Sequence, residues 1–89
     1  MAKKIIMYGS AACPDCVKAK EILDREGIRY GYIDVLGDLA RLKKFITLRD
    51  AHQAEFQTEI AQQHMGIPCF VVDDEKVYVM LPEDLDVLR

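Results

Sequence analysis

Apolar positions along the chain change period several times, and each change marks an element. Residues 3–8 form a nearly unbroken apolar run, Ile5-Ile6-Met7-Tyr8 after two lysines, as expected of a central strand covered on both faces. After a loop at 9–12, Ala12, Cys16, Ala19, Ile22 and Leu23 fall on one side of a helix, while Lys18, Lys20, Glu21, Asp24 and Arg25 fall largely elsewhere. Gly27 is placed to end that helix in the left-handed conformation glycine favours. Residues 28–35 read as a second strand with a stop at Gly37-Asp38. Two strands joined through a helix are normally parallel, with a right-handed crossover.

Residues 38–65 contain neither glycine nor proline. Leu39, Leu42, Phe45 and Ile46 mark one helical face, and Phe56 and Ile60 a second. Asp50 and Gln53 have the spacing of a loose capping box, which predicts a break near Arg49 and two helices, a single kinked helix being the alternative. Gly66-Ile67-Pro68-Cys69 punctuates the chain and leads into Phe70-Val71-Val72. A turn at 73–76 connects this to a strand at 77–80, predicting an antiparallel hairpin. Pro82 is expected to open a last short helix, with Glu83 and Asp84 in its first turn and Leu85 and Leu88 facing inward. The order β-α-β-α-α-β-β-α describes an α/β fold in one domain, residues 1–89.

Composition narrows the setting. Eighty-nine residues, 51% hydrophobic and 30% charged, suit one small soluble domain. The formal net charge of −3 and the lack of a basic stripe argue against nucleic acid or an anionic membrane as partner. Lys3-Lys4 is followed by only four apolar residues before Gly9, so neither a signal peptide nor a membrane span is expected, and the cytoplasm is the expected location. Three cysteines without a secretion signal do not describe a disulfide scaffold. In a reducing compartment, two of them in a Cys-x-x-Cys pair point to catalysis or metal binding.

That pair is Cys13-Pro14-Asp15-Cys16. Strand, tight loop and helix put Cys13 at the helix N-cap and Pro14 at the first helical position, where its missing N–H costs nothing. Unpaired N–H groups and the positive end of the helix dipole favour the thiolate of Cys13, the reactive form, while the Asp15 carboxylate opposes them. Cys16, one turn further in, is within reach of Cys13 to close a disulfide. The remaining candidates have plainer readings. Cys69 reads as a small core hydrophobe, His64 as a helix-end or packing residue, His52 as surface, and Arg49 and Lys44 as a solvated helix face.

Taken together, the chain resembles the glutaredoxins of the thioredoxin superfamily. The resemblance rests on Cys13-Pro14-Asp15-Cys16 at the start of the first helix, Ile67-Pro68 entering the third strand and Asp84-Leu85 opening the last helix. It implies a four-stranded mixed sheet in the order two-one-three-four with helices on both faces, and a cis Ile67-Pro68 bond beside the cysteines. It also implies a thiol-disulfide oxidoreductase in which Cys13 attacks and Cys16 resolves. Gly66, Ile67 and Pro68 would then bind substrate, Asp84 with Glu83 would take the amino group of a glutathione γ-glutamyl unit, and Arg49 or Lys44 a carboxylate. No bound cofactor or metal is implied, with glutathione a co-substrate. The implied partners are a disulfide-containing protein or glutathione mixed disulfide and a reductase as electron donor, acting on a monomer. Four features depart from the family pattern. Residues 9–12 carry no lysine, Gly66 stands where threonine is usual, Met80-Leu81 replaces a glycine pair, and the helical segment between the second and third strands is longer than usual. The alternative is a metal or iron-sulfur module using Cys13 and Cys16, completed by Cys69, His64 or a second subunit; a closed zinc site lacks a second Cys-x-x-Cys or paired histidine. A phosphatase-type Cys-x5-Arg loop fails because Ala19 stands where the arginine must be.

Overall fold

The computed structural model describes residues 3–89. The chain runs β1 (Ile5–Gly9), α1 (Pro14–Arg25), β2 (Gly31–Asp34), α2 (Leu39–Ala51), α3 (Gln57–Ala61), β3 (Cys69–Val72) and β4 (Lys76–Val79), and ends in a 3₁₀ turn, Leu85–Leu88. The four strands form one sheet in the order β2-β1-β3-β4. β2 is parallel to β1, whereas β3 runs antiparallel to both β1 and β4.

Central placement of β1 explains its unbroken apolar run, because alternate side chains enter two separate cores. Ile5 and Met7 join Phe70 and Val72 of β3 beneath α1, where Cys16, Ala19 and Leu23 come down onto the sheet with Ile28 and Leu88. Tyr8 joins Cys69 and Val71 on the opposite face, under Val35, Phe45 and Phe56. On that second face three rings pack in series. Tyr8 and Phe45 have centroids 5.9 Å apart, and Phe45 meets Phe56 edge-on at 6.0 Å.

The turn at 73–76 has no glycine, yet Asp73 and Asp74 both take positive φ, 53° and 57°. That pair of conformations suits the twist of a tight hairpin. The turn is also bound to the start of β1: the Lys4 N–H donates to Asp73 Oδ1 at 2.8 Å, and the Asp73 N–H donates to the Lys4 carbonyl at 2.8 Å.

Several boundaries differ from the sequence expectations. α2 runs through Asp50 to Ala51, so Asp50 and Gln53 form no capping box, and the break falls at residues 52–56. The cap that operates is Asp38, whose Oδ1 accepts from the Arg41 N–H at 2.8 Å at the start of α2. Of the expected face of α2 only Phe45 is buried; Leu39 and Ile46 are exposed, because a helix lying over one sheet face needs a narrow stripe. β2 is shorter than the expected 28–35 strand, since Ile28 turns into the core ahead of it. Pro82 does not open the last helix. That role falls to Asp84, whose carboxylate accepts from the Asp86 N–H at 3.0 Å, and the helix is a 3₁₀ turn rather than an α-helix.

Candidate active site

The loop from Ser10 to Cys13 is built to set Cys13 at the head of α1. Ser10 is buried; its Oγ accepts from the Ala12 N–H at 3.1 Å, and its carbonyl accepts from the Cys13 N–H at 3.1 Å. Cys13 then stands at the N-cap in extended conformation, with Pro14 following it in the first turn. The helix end is less open than the sequence suggests. Pro14 brings no N–H, and the Cys16 and Val17 N–H groups both donate to the Cys13 carbonyl at 3.1 Å. Among the described residues, the Asp15 N–H is the first-turn donor without a backbone partner.

Cys13 and Cys16 are both free thiols, and their environments differ. Cys13 is half-buried, whereas Cys16 is fully enclosed under α1. Burial pushes the Cys16 thiol up to about 12, the nearby Cys13 and Asp15 add to the rise, and a hydrogen bond from the Ser10 backbone opposes it. Cys16 is therefore a protonated thiol at neutral pH, and the exposed member of the pair is the one available to attack. Gly9 makes room for this arrangement: a Cβ there would stand 3.1 Å from Cys16 Sγ and 3.3 Å from the Tyr32 ring. Tyr32 lies under Lys20, whose Nζ is 4.1 Å from the ring centroid.

Across from Cys13 the Ile67-Pro68 bond is cis, and the Ile67 carbonyl lies 4.0 Å from Cys13 Sγ. Between the two walls runs a groove of about 600 Å³. Cys13, Gly66 and Ile67 line it, as do Met65, Met80 and a polar wall that includes Glu59 and His64. Pro68 is buried behind Ile67. Arg49 does not line the groove; its Nη1 donates to the Met65 carbonyl behind the wall at 3.1 Å. Asp84 does not line the groove; its carboxylate caps the 3₁₀ turn, next to the exposed Glu83. Lys44 is exposed on α2. Cys69 lies on the opposite face of the sheet from Cys16, so a site joining the three cysteines is not assembled. Among the described residues there is no cluster of three His, Cys, Asp or Glu side chains arranged to hold a metal ion.

The glutaredoxin family model matches residues 5–77, which spans β1 through the start of β4. This chain belongs to the glutaredoxin family. A Haemophilus influenzae protein of uncharacterised function is 36% identical over 81 residues, covering 91% of this chain and 92% of that protein. Glutaredoxin 1 from Rickettsia conorii is 36% identical over 63 residues, covering 70% of this chain and 62% of that protein, and Glutaredoxin 1 from Rickettsia prowazekii matches at the same identity over 66% of its length. The glutaredoxin family is one of thiol-disulfide oxidoreductases, and the sheet order and element order agree with its thioredoxin-like fold.

Two parts of the groove are not legible from motif positions alone. The wall from Glu59 to Met65 starts on α3, passes through Gln63 at φ 59°, and comes beside Cys13 only in the folded chain. Met80 takes φ 70° and donates its N–H to the Pro68 carbonyl at 2.8 Å, so a methionine holds a left-handed position where the family pattern carries glycine. The replaced glycine pair is the signal in the sequence that marks it.

Proposed function

We propose that the protein reduces protein or glutathione mixed disulfides through the Cys13-Cys16 dithiol. The observation that carries this reading is the contrast within the pair, a half-buried Cys13 in the groove above a fully buried Cys16. The Cys13 thiolate attacks one sulfur of the substrate disulfide. Its S–S bond breaks, the first thiol leaves with the electron pair and takes up a proton, and a mixed disulfide to Cys13 forms. Cys16 then loses its proton and attacks Cys13 Sγ, releasing the second thiol and closing the Cys13–Cys16 disulfide. Two electrons from glutathione or a dedicated reductase return the pair to the dithiol. The Ile67 backbone supports pairing with an extended substrate as a short added strand, since its N–H has no partner among the described residues. No cofactor is needed for these steps, and a monomer acting in the cytoplasm suffices.

The test separates the two sulfurs. Cys16→Ser should still process glutathionylated substrates and lose reduction of protein disulfides, whereas Cys13→Ser should lose both. Cys13→Ser with wild-type turnover would refute the assignment. Recycling of the oxidised protein by glutathione and its reductase, or by thioredoxin reductase, identifies the electron donor.

A further inference from the structure

Carboxylates from both walls line the groove in front of Cys13. Its ionisable lining, besides Cys13 itself, consists of Asp15 on the first turn of α1, Glu59 on α3 and His64, whose Nδ1 lies 3.2 Å from Glu59 Oε2. Among the described residues no lysine or arginine lines it. The nearby Arg49 is bound to the Met65 carbonyl. Met65, Ile67 and Met80 supply an apolar floor. Such a surface fits a long cationic side chain, which lays its methylenes on apolar groups and leaves its charge beside a carboxylate. Carboxylates on both walls also raise the local concentration of cationic segments and lower that of anionic ones. Glutathione carries two carboxylates against one ammonium group, so its net charge is the wrong sign for this lining.

From this we infer that the preferred substrate is a polypeptide disulfide with lysine or arginine beside the reacting cysteine, held between Asp15 and Glu59 with its backbone along Ile67. The inference rests on Cys13 being the nucleophile. A polypeptide is favoured over a small cationic thiol because the Ile67 N–H offers its hydrogen bond to a main chain, which an aminothiol lacks.

The probes are pentapeptides with a central cysteine flanked by lysine, serine or glutamate, each activated as its 2-pyridyl disulfide, together with 2-aminoethyl 2-pyridyl disulfide. Attack of the Cys13 thiolate on the peptide sulfur breaks the S–S bond, forms the Cys13-peptide disulfide and expels pyridine-2-thione, whose absorbance reads this step alone. Rates are divided by those of the same probes with 2-mercaptoethanol. The lysine peptide should then react about tenfold faster than the glutamate peptide, a ratio consistent with two partly screened charge pairs. In Glu59→Gln the preference should fall to about threefold, and in Glu75→Gln, on the remote hairpin turn, it should be unchanged. Equal rates for the three peptides, faster reaction of the glutamate peptide, or an unaltered ratio in Glu59→Gln would overturn the proposal. An aminoethyl probe as fast as the lysine peptide would overturn the choice of a polypeptide. If Cys13→Ser releases pyridine-2-thione at the wild-type rate, the underlying assignment of the nucleophile has failed instead.

Discussion

Gly66 lies directly on the ring of Phe56: a Cβ at Gly66 would stand 2.6 Å from Phe56 Cδ1, and Gly66 itself takes φ 96°. The ring is fully buried against Phe45 and has no room to retreat. The residue before Ile67 is thus held by packing of the α2-side core as well as by backbone conformation. Restoring the threonine usual in the family would break this contact. Gly66→Ala and Gly66→Thr are expected to lower stability by about 2 kcal/mol or more, combining a positive φ with overpacking. Urea midpoints measure the loss, and a midpoint within error of wild type for Gly66→Ala would disprove the packing account.

Cys16 has a different consequence, in the pH dependence of resolution. With its thiol pushed up to about 12, chiefly by burial, its thiolate fraction keeps increasing past the ordinary thiol value of 9.0. Forming the mixed disulfide removes the contribution of a charged Cys13 but leaves the burial in place. In single-turnover experiments the resolving step should therefore accelerate with rising pH by up to about tenfold per unit, without levelling near the ordinary value. A plateau at or below pH 9 would contradict the environment described for Cys16.

Cys69 affects stability rather than catalysis. Burial raises its thiol from 9.0 to about 12. The folded state therefore holds this proton more tightly than the unfolded state, and the associated stability is present below about pH 9 and lost as pH rises toward about 12. Cys69→Ala should be less stable at neutral pH by about 1 kcal/mol through the cavity it leaves. Above pH 9 it should lose stability less steeply than wild type, with Cys16 and Tyr8, whose hydroxyl is also raised mainly by burial, sustaining the remaining slope. Denaturation midpoints across the alkaline range check the sign.

Met80 separates backbone from side-chain effects at the groove. Its φ of 70° is costly for a side chain, most of all a β-branched one, so Met80→Val should destabilise by about 1–3 kcal/mol. Met80→Gly relieves the backbone while giving up half-buried apolar surface, and the two should nearly cancel, leaving stability within about 1 kcal/mol of wild type. Because Met80 lines the groove, Met80→Gly should alter KM for disulfide substrates more than kcat. Equal destabilisation by valine and glycine would remove the backbone argument.

Much of the scaffold was legible because it depends on local signals. The period change after Tyr8, the proline behind Cys13 and the paired apolar runs around 73–76 each announce an element from neighbouring residues alone. They also single out Cys13 and Cys16 as the pair on which the proposed function rests. Local spacing misled at Asp50 and Gln53, where the capping pattern competes with helix packing: Phe45 and the half-buried Leu48 anchor α2 on the sheet, and the helix continues past Asp50. The same override places Asp38 and Asp84 as the working caps.

The amino-acid sequence by itself determined the order of elements, the central apolar strand and the placing of the Cys-x-x-Cys pair at the head of a helix, because each is written within one turn or one strand. The N-cap position already favoured Cys13 over Cys16, and tertiary structure decided how far the two sulfurs differ in exposure. Cys13 and Cys16 are identical in chemistry, and only the packing of α1 on β1, with Gly9 under Cys16, buries one of them. It likewise decided the groove's character. Asp15, Glu59, Met65 and Met80 are far apart along the chain, and their shared face exists only once β3 passes between β1 and β4 and carries Ile67 to Cys13.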